Sequence, residues 1–174
     1  MKKVLALSFL AILTGCAKQK AIEFDIPYTT EFTITTGGIT INTPIDFTTP
    51  DVPTTIGPRM IENKTDIQFI DEIKYTKFDI TATLPSGQKL DFLKSISLYM
   101  NAEGQKETLV ASKDPVPVGD STVAMDLPNV NLKNFITKDK FKLRALIVPD
   151  ATLSQSVTIS ITQNVHVKAK QFLK

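Results

Sequence analysis

The chain has 174 residues, 42% of them apolar, with 20 Lys and Arg against 18 Asp and Glu. That length can bury one core without covalent staples, and charge so nearly balanced removes the case for nucleic-acid binding, which rests on a basic patch. One cysteine, Cys16, and one histidine, His166, exclude an intrachain disulfide and the common zinc frameworks, which need several such ligands.

The N-terminus opens with Lys2 and Lys3, followed by the run Val4 to Leu13, apolar apart from Ser8. Ten helical residues span only about 15 Å, roughly half of a bilayer's hydrocarbon core. The run is therefore too short for an ordinary spanning helix and has the charge order of a secretory signal peptide. A buried N-terminal helix would carry a polar face, which this run lacks. It ends in Leu13-Thr14-Gly15-Cys16, an apolar residue, two small residues and a cysteine. This segment resembles the lipobox of bacterial lipoproteins, which implies cleavage between Gly15 and Cys16 and diacylglyceryl transfer to the Cys16 sulfur. Acylation of the new amino group, commonly with palmitate, is implied as well. Each buried methylene contributes about 0.8 kcal/mol, so two or three chains anchor firmly where one holds only marginally. Ala17, where an aspartate would favour inner-membrane retention in Gram-negative lipoproteins, points to the outer membrane. The acid-free run Ala17-Lys18-Gln19-Lys20 favours its periplasmic face over the cell surface. Removing residues 1–15 removes two lysines and leaves 18 basic and 18 acidic residues.

Residues 16–27 are expected to tether a single domain, 28–174. From Ala21 to Pro58 there is no Lys or Arg, and eleven of the 28 residues from Tyr28 to Thr55 are threonine. Two readings compete, a disordered and glycosylated stalk or a pair of strands with irregular loops. Tyr28, Thr30, Phe32 and Ile34 alternate with Thr29, Glu31, Thr33 and Thr35, and Gly37-Gly38 separates them from Ile39 and Ile41. Alternation about a Gly-Gly turn favours strands at 29–35 and 39–42. The Pro/Thr-rich stretch 43–64 reads as irregular, its part 43–58 a loop or edge crossing, because proline does not sit in a central strand.

Apolar residues at 67, 69, 70 and 73 suggest a short helix capped by Thr65 or Asp66. Lys74 to Leu84 alternates as a strand with Phe78, Ile80, Ala82 and Leu84 on one face, closed by Pro85-Ser86-Gly87. Leu90 to Leu93 suggests one helical turn. Lys94 to Met100 reads as a strand that turns at 101–104 to pair with Glu107 to Ala111. After the loop 114–119, Val123, Met125 and Leu127 alternate. Asn131 caps a short helix to Ile136. Phe141, Leu143, Ala145 and Ile147 alternate next, and Val157, Ile159, Ile161, Val165 and Val167 share one parity in a long final strand. Seven to nine strands and two or three short helices predict an all-β fold, a two-layer antiparallel β-sandwich, loosely immunoglobulin-like. The cysteines and tryptophan of antibody domains are missing, so only architecture carries over. The pattern is similar to that of β-sandwich lipoproteins of Gram-negative envelopes.

Catalytic signals are sparse. His166 shares its parity with Thr158, Ser160, Thr162 and Asn164, the polar face of the last strand, and no Gly-x-Ser-x-Gly elbow accompanies it. Asp71 and Glu72 are adjacent acids that point apart, an arrangement unsuited to paired-carboxylate chemistry. Tyr28, Tyr75 and Tyr99 are candidates for a sugar-stacking platform, although sheet tyrosines commonly pack at core edges. Asn63-Lys64-Thr65 and Asp120-Ser121-Thr122 match glycan-acceptor patterns at Asn63 and Ser121. No cofactor, metal site or catalytic residue is expected. The implied function is a non-enzymatic binding, adaptor or structural module of the envelope, held to the membrane through Cys16 and contacting an envelope protein or glycan. A small-ligand carrier for lipid or sugar is the alternative, and an envelope hydrolase a weaker one.

Overall fold

A computed structural model describes residues 20–35 and 39–171. Cys16, the lipobox and Gly37-Gly38 lie outside the described residues. Nine strands form two antiparallel sheets: β1 (Ala21–Ile34), β2 (Ile45–Thr48), β3 (Val52–Pro53), β4 (Ile70–Leu84), β5 (Leu93–Asn101), β6 (Thr108–Lys113), β7 (Thr122–Ala124), β8 (Lys140–Pro149) and β9 (Val157–Lys170). Two short helices, α1 (Ile56–Glu62) and α2 (Lys133–Ile136), complete the described structure with a 3-10 turn at Ile67–Phe69.

One sheet has the order β1-β9-β4-β7; the other has β2-β8-β5-β6, with β3 also pairing with β8. With the two-residue β3 set aside, the eight strands counted along the chain lie 1-8-3-6 in one sheet and 2-7-4-5 in the other. That is the jelly-roll order, an eight-stranded double sheet built on two Greek keys. The all-β two-layer antiparallel sandwich is thus as expected. The immunoglobulin likeness extends only to the layers, since an immunoglobulin sheet of order A-B-E-D keeps the first two strands side by side, whereas here β1 and β2 lie in different sheets.

The core follows from period-two alternation. Ile96, Leu98 and Met100 of β5, Leu143, Ala145 and Ile147 of β8, and Val157, Ile159 and Ile161 of β9 are all at most 1% exposed. Phe78 and Phe141 are the largest of the fully enclosed side chains. Phe141 meets the Tyr28 ring edge-on at 5.5 Å, and Phe32 stacks on Phe47 at 5.7 Å, so aromatic contacts join the two layers. Fully burying a side chain of this size contributes about 1.5–3 kcal/mol.

Several boundaries differ from the sequence expectation, each for a local reason. The expected tether 16–27 overlaps β1, which begins at Ala21 and pairs with β9 along its whole length, Ala21 opposite Lys170 and Ile34 opposite Val157. Ile22, Phe24 and Ile26 extend the alternation of Tyr28 and Phe32. Pro27 fits because β1 is an edge strand. The Lys20 carbonyl accepts from Gln171 N at 2.8 Å, so even-numbered residues turn their backbone groups toward β9. Odd-numbered ones, Pro27 included, face the open edge.

The expected strand 39–42 is instead a turn: Asn42 takes a positive φ of 59° and donates its N–H to the Pro149 carbonyl. Asparagine tolerates that conformation better than most residues. Within the stretch 43–64, expected to be irregular, stand β2, β3 and α1. Pro44 and Pro50 flank β2 without interrupting it, and Pro58 occupies the first turn of α1, where the missing N–H would have no helical partner.

The expected helix at 66–73 is a single 3-10 turn, its Asp66 carboxylate accepting from Gln68 N, and it leads straight into β4. The difference comes from register shifts in β4 between Ile70 and Glu72, Tyr75 and Lys77, and Ala82 and Leu84. A bulge inserts one unpaired residue, so Ile70 and Ile73 face the same side at a spacing that imitates a helix. The last shift turns Leu84 outward, 59% exposed, against the expectation that it shares the Phe78 face. Asp71 and Glu72 therefore lie on a strand. Leu90 to Leu93 makes a hydrogen-bonded turn, Leu93 N to Leu90 O, in place of a helical one.

The sandwich has two distinct ends. Ala21, Lys170, α1 and the Ile67–Phe69 turn gather at a base. Ile34, Val157, Leu84 and Pro149 mark the far end, where Leu84 pairs with Thr158 and Leu93 with Pro149.

Candidate functional site

A groove of about 660 Å³ lies on the outer face of the β2-β8-β5-β6 sheet, toward the base. Alternation in β8 sends Lys140, Lys142 and Arg144 out along its floor while Phe141 and Leu143 point into the core. Register brings Tyr99 of β5 opposite Arg144, and the guanidinium carbon lies 4.5 Å over the Tyr99 ring. Arg144 donates from Nε and one terminal nitrogen to the two oxygens of Glu107 at 2.9 and 2.7 Å, and from its other nitrogen to Asp46. The fork-to-carboxylate geometry is the strong form of such a pair. It holds the Arg144 pKa above its ordinary value, through the Glu107 hydrogen bonds first and Asp46 second. The same bonds lower Glu107.

Asp51 pairs with Lys140 at 2.5 Å and Lys142 at 3.4 Å, and the Lys140 hydrogen bond lowers its carboxyl pKa. Acids and bases in the groove therefore largely satisfy one another. Arg144 ties β2, β8 and the start of β6 together, and Asp51 ties the β2–β3 link to β8. This is a polar lattice that fixes an edge strand, not a focus of one charge sign.

His166 stands on the outer face of the other sheet, as its parity predicted. Its Nδ1 lies 2.8 Å from Asp25 Oδ1 and its Nε2 3.4 Å from Glu23 Oε2. Lys74 faces it from β4, Lys168 stands opposite Glu23 and Glu72, and Lys74 pairs with Glu72 at 2.5 Å. Both imidazole nitrogens thus meet carboxylates. Ser160, on the same face of β9, stands six residues or about 20 Å away, so β9 brings no nucleophile to the histidine. Among the described residues no group of three or more His, Cys, Asp or Glu side chains could hold a metal ion.

The other singled-out residues are not brought together. Tyr28 and Tyr75 are buried in the core while Tyr99 lies under Arg144 on an outer face, so they do not form one platform. Asp71 pairs with Lys170 and Glu72 with Lys74, and neither acid pairs with the other. Asn63 closes α1 with its amide donating to the Arg59 carbonyl at 2.8 Å, and Thr65 of the same tripeptide is buried. Ser121 is exposed beside the far-end loop, its carbonyl accepting from Ala82 N.

One buried polar pair escaped the sequence reading. Tyr75 donates its hydroxyl to Gln163 Oε1, and the Gln163 amide nitrogen has no partner. Burial is the main reason that the Tyr75 pKa is raised well above the ordinary value, and burial also raises Tyr28. The signal lay in the break it makes in the apolar parity of β9, between Ile161 and Val165.

No protein-family profile matches the chain, and no curated protein matches it in sequence. Among solved structures the chain is similar to a decameric BFDV capsid protein, at 14% identity and a TM-score of 0.45 over 87% of this chain and all of that one. A 60-mer form of the BFDV capsid protein matches at 13% identity and a TM-score of 0.45, covering 90% of this chain and 96% of that one. A Desmodium yellow mottle tymovirus chain matches at 8% and 0.30, covering 99% and 98%. At these values the likeness carries no functional argument.

Proposed function

We propose that the chain is a lipid-anchored protein of the cell envelope, acting as a non-enzymatic binding or adaptor module at the outer membrane. The observation that carries this reading is the order of the N-terminal signals: Lys2-Lys3, the apolar run, then Leu13-Thr14-Gly15-Cys16. The first strand starts five residues after Cys16, at Ala21, so a folded domain follows the anchor almost at once. The outward charged groups pair with one another instead of assembling a nucleophile with its base, which supports a non-enzymatic role. The open edge of β1 offers strand addition to an envelope partner. The far end, with Ile41 43%, Leu84 59% and Val118 83% exposed, offers apolar contact with one.

Growth of an expressing bacterial host with radiolabelled palmitate tests the anchor. The expected result is label in the wild-type chain and none in Cys16→Ser. An unlabelled wild type, or equal label in both, overturns it.

A further inference from the structure

We propose a second membrane contact: the end of α1 and the link that follows it to β4 seat Ile61 and Ile67 in the headgroup region of the bilayer that holds the anchor. The inference rests on the lipid-anchored reading above. Lys20, four residues beyond Cys16, takes a hydrogen bond on its carbonyl from Gln171 at the base of the sandwich. Four extended residues reach at most about 14 Å, so an acylated Cys16 keeps the base within that distance of the lipid.

The α1–β4 link is fastened to the same end. Thr65 is buried and donates its hydroxyl to the Lys170 carbonyl at 2.5 Å, and its N–H to the Met60 carbonyl at 3.0 Å. On either side of this fastening, Ile61 is 79% and Ile67 40% exposed. Among the described residues the other strongly exposed large apolar ones, Ile41, Leu84 and Val118, belong to the far end. They stand about 40 Å away along β1 and β9, taking some 3.3 Å per residue.

Charge matches an anionic lipid surface. Arg59 and Glu62 pair with each other at 3.0 Å and Lys170 pairs with Asp71, which leaves Asp66, whose carboxylate accepts from the neutral Gln68 N–H and keeps its charge, as one acid against two lysines. Lys64, between the two isoleucines in the chain, and Lys20, at the same end of the sandwich, are exposed cations. Apolar side chains flanked by lysine are the chemistry of interfacial insertion.

The test uses the full chain made in a lipidating host. Cys16 is the only cysteine, and a thioether there leaves Ile61→Cys, Ile67→Cys and Val118→Cys each with one free thiol for a fluorophore. Thermal midpoints equal to wild type establish that the variants fold. Each is placed in vesicles of phosphatidylethanolamine and phosphatidylglycerol carrying nitroxide-labelled lipid, and its intact mass is recorded. Lipid mass present, with quenching at 61 and 67 several-fold above that at 118, supports the proposal. Lipid mass present with quenching at 61 and 67 no greater than at 118 overturns the contact and leaves the anchor standing. Quenching that vanishes when protein is diluted among vesicles reports contact between copies, which also overturns it. Absence of lipid mass overturns the anchor and this inference with it.

Discussion

Removing the hydroxyl of Tyr75 tests how the core tolerates a polar pair. Tyr75 and Gln163 are both buried, and Gln163 Oε1 has the Tyr75 hydroxyl as its partner while Nε2 has none. Tyr75→Phe deletes the one bond and leaves the whole amide unsatisfied. Removing one partner of a buried hydrogen bond costs the desolvation of the acceptor left behind, more than the bond's net worth, which sets the destabilisation at roughly 1–3 kcal/mol. For a domain of this size that is a fall in thermal midpoint of about 3–10 °C. Gln163→Met removes the orphan nitrogen but strands the tyrosine hydroxyl, so its effect is smaller. The double variant leaves no buried polar side-chain atom at either position and is less destabilised than the two single changes summed. Urea denaturation of the four proteins closes a double-mutant cycle, with an expected coupling of about 1–3 kcal/mol. A Tyr75→Phe protein within about 0.5 kcal/mol of wild type, with additive effects in the cycle, refutes the assignment of this bond as a core contact.

Two pH dependences follow from the paired carboxylates and the buried tyrosines. Glu107 and Asp51 have depressed folded pKa values, so their stabilisation is complete above the ordinary carboxylate range and is lost as pH falls through the folded values. Thermal midpoints recorded between about pH 5 and pH 3 should fall, and Arg144→Met should flatten that limb by removing the partner of Glu107; an unchanged limb counts against the fork. Tyr28 and Tyr75 have raised folded pKa values, so their contribution is complete below about pH 10 and is lost at higher pH, where the unfolded chain ionises first. Absorbance titration should show two of the three tyrosines ionising only as near-ultraviolet circular dichroism collapses. Ionisation of all three while the fold persists contradicts their burial.

Alternation was readable wherever a strand runs without a bulge. Ile96, Leu98 and Met100, or Phe141 through Ile147, reach the core as their parity requires, whereas the cap expected at Asn131 falls on Leu132, and Asn131 accepts from Lys133 N from one position earlier. In β4 the same rule failed because three shifts break its register, and a bulge leaves no mark in a sequence of apolar spacings. Jelly-roll order was illegible for a different reason: alternation is local, whereas β1 meets β9 across most of the chain. The Arg144 fork joins residues 98 and 37 positions away, so neither acid could be paired with it by inspection. His166 was placed correctly on the polar face of β9, but Asp25 and Glu23 lay inside the segment read as a tether. Gln163 was the most legible of the overlooked residues, being the one polar side chain at an inward position of β9 from Val157 to Val167.

The anchor is the hinge of the functional account, and the mass of the mature N-terminal peptide tests it most directly. Protein extracted from the membranes of its native host is digested, and the peptide beginning at residue 16 is sought. The account predicts a chain starting at Cys16 with diacylglyceryl and acyl mass on that residue, recovered with the outer-membrane fraction. A mature chain that begins elsewhere, or that begins at Cys16 with an unmodified thiol, contradicts it.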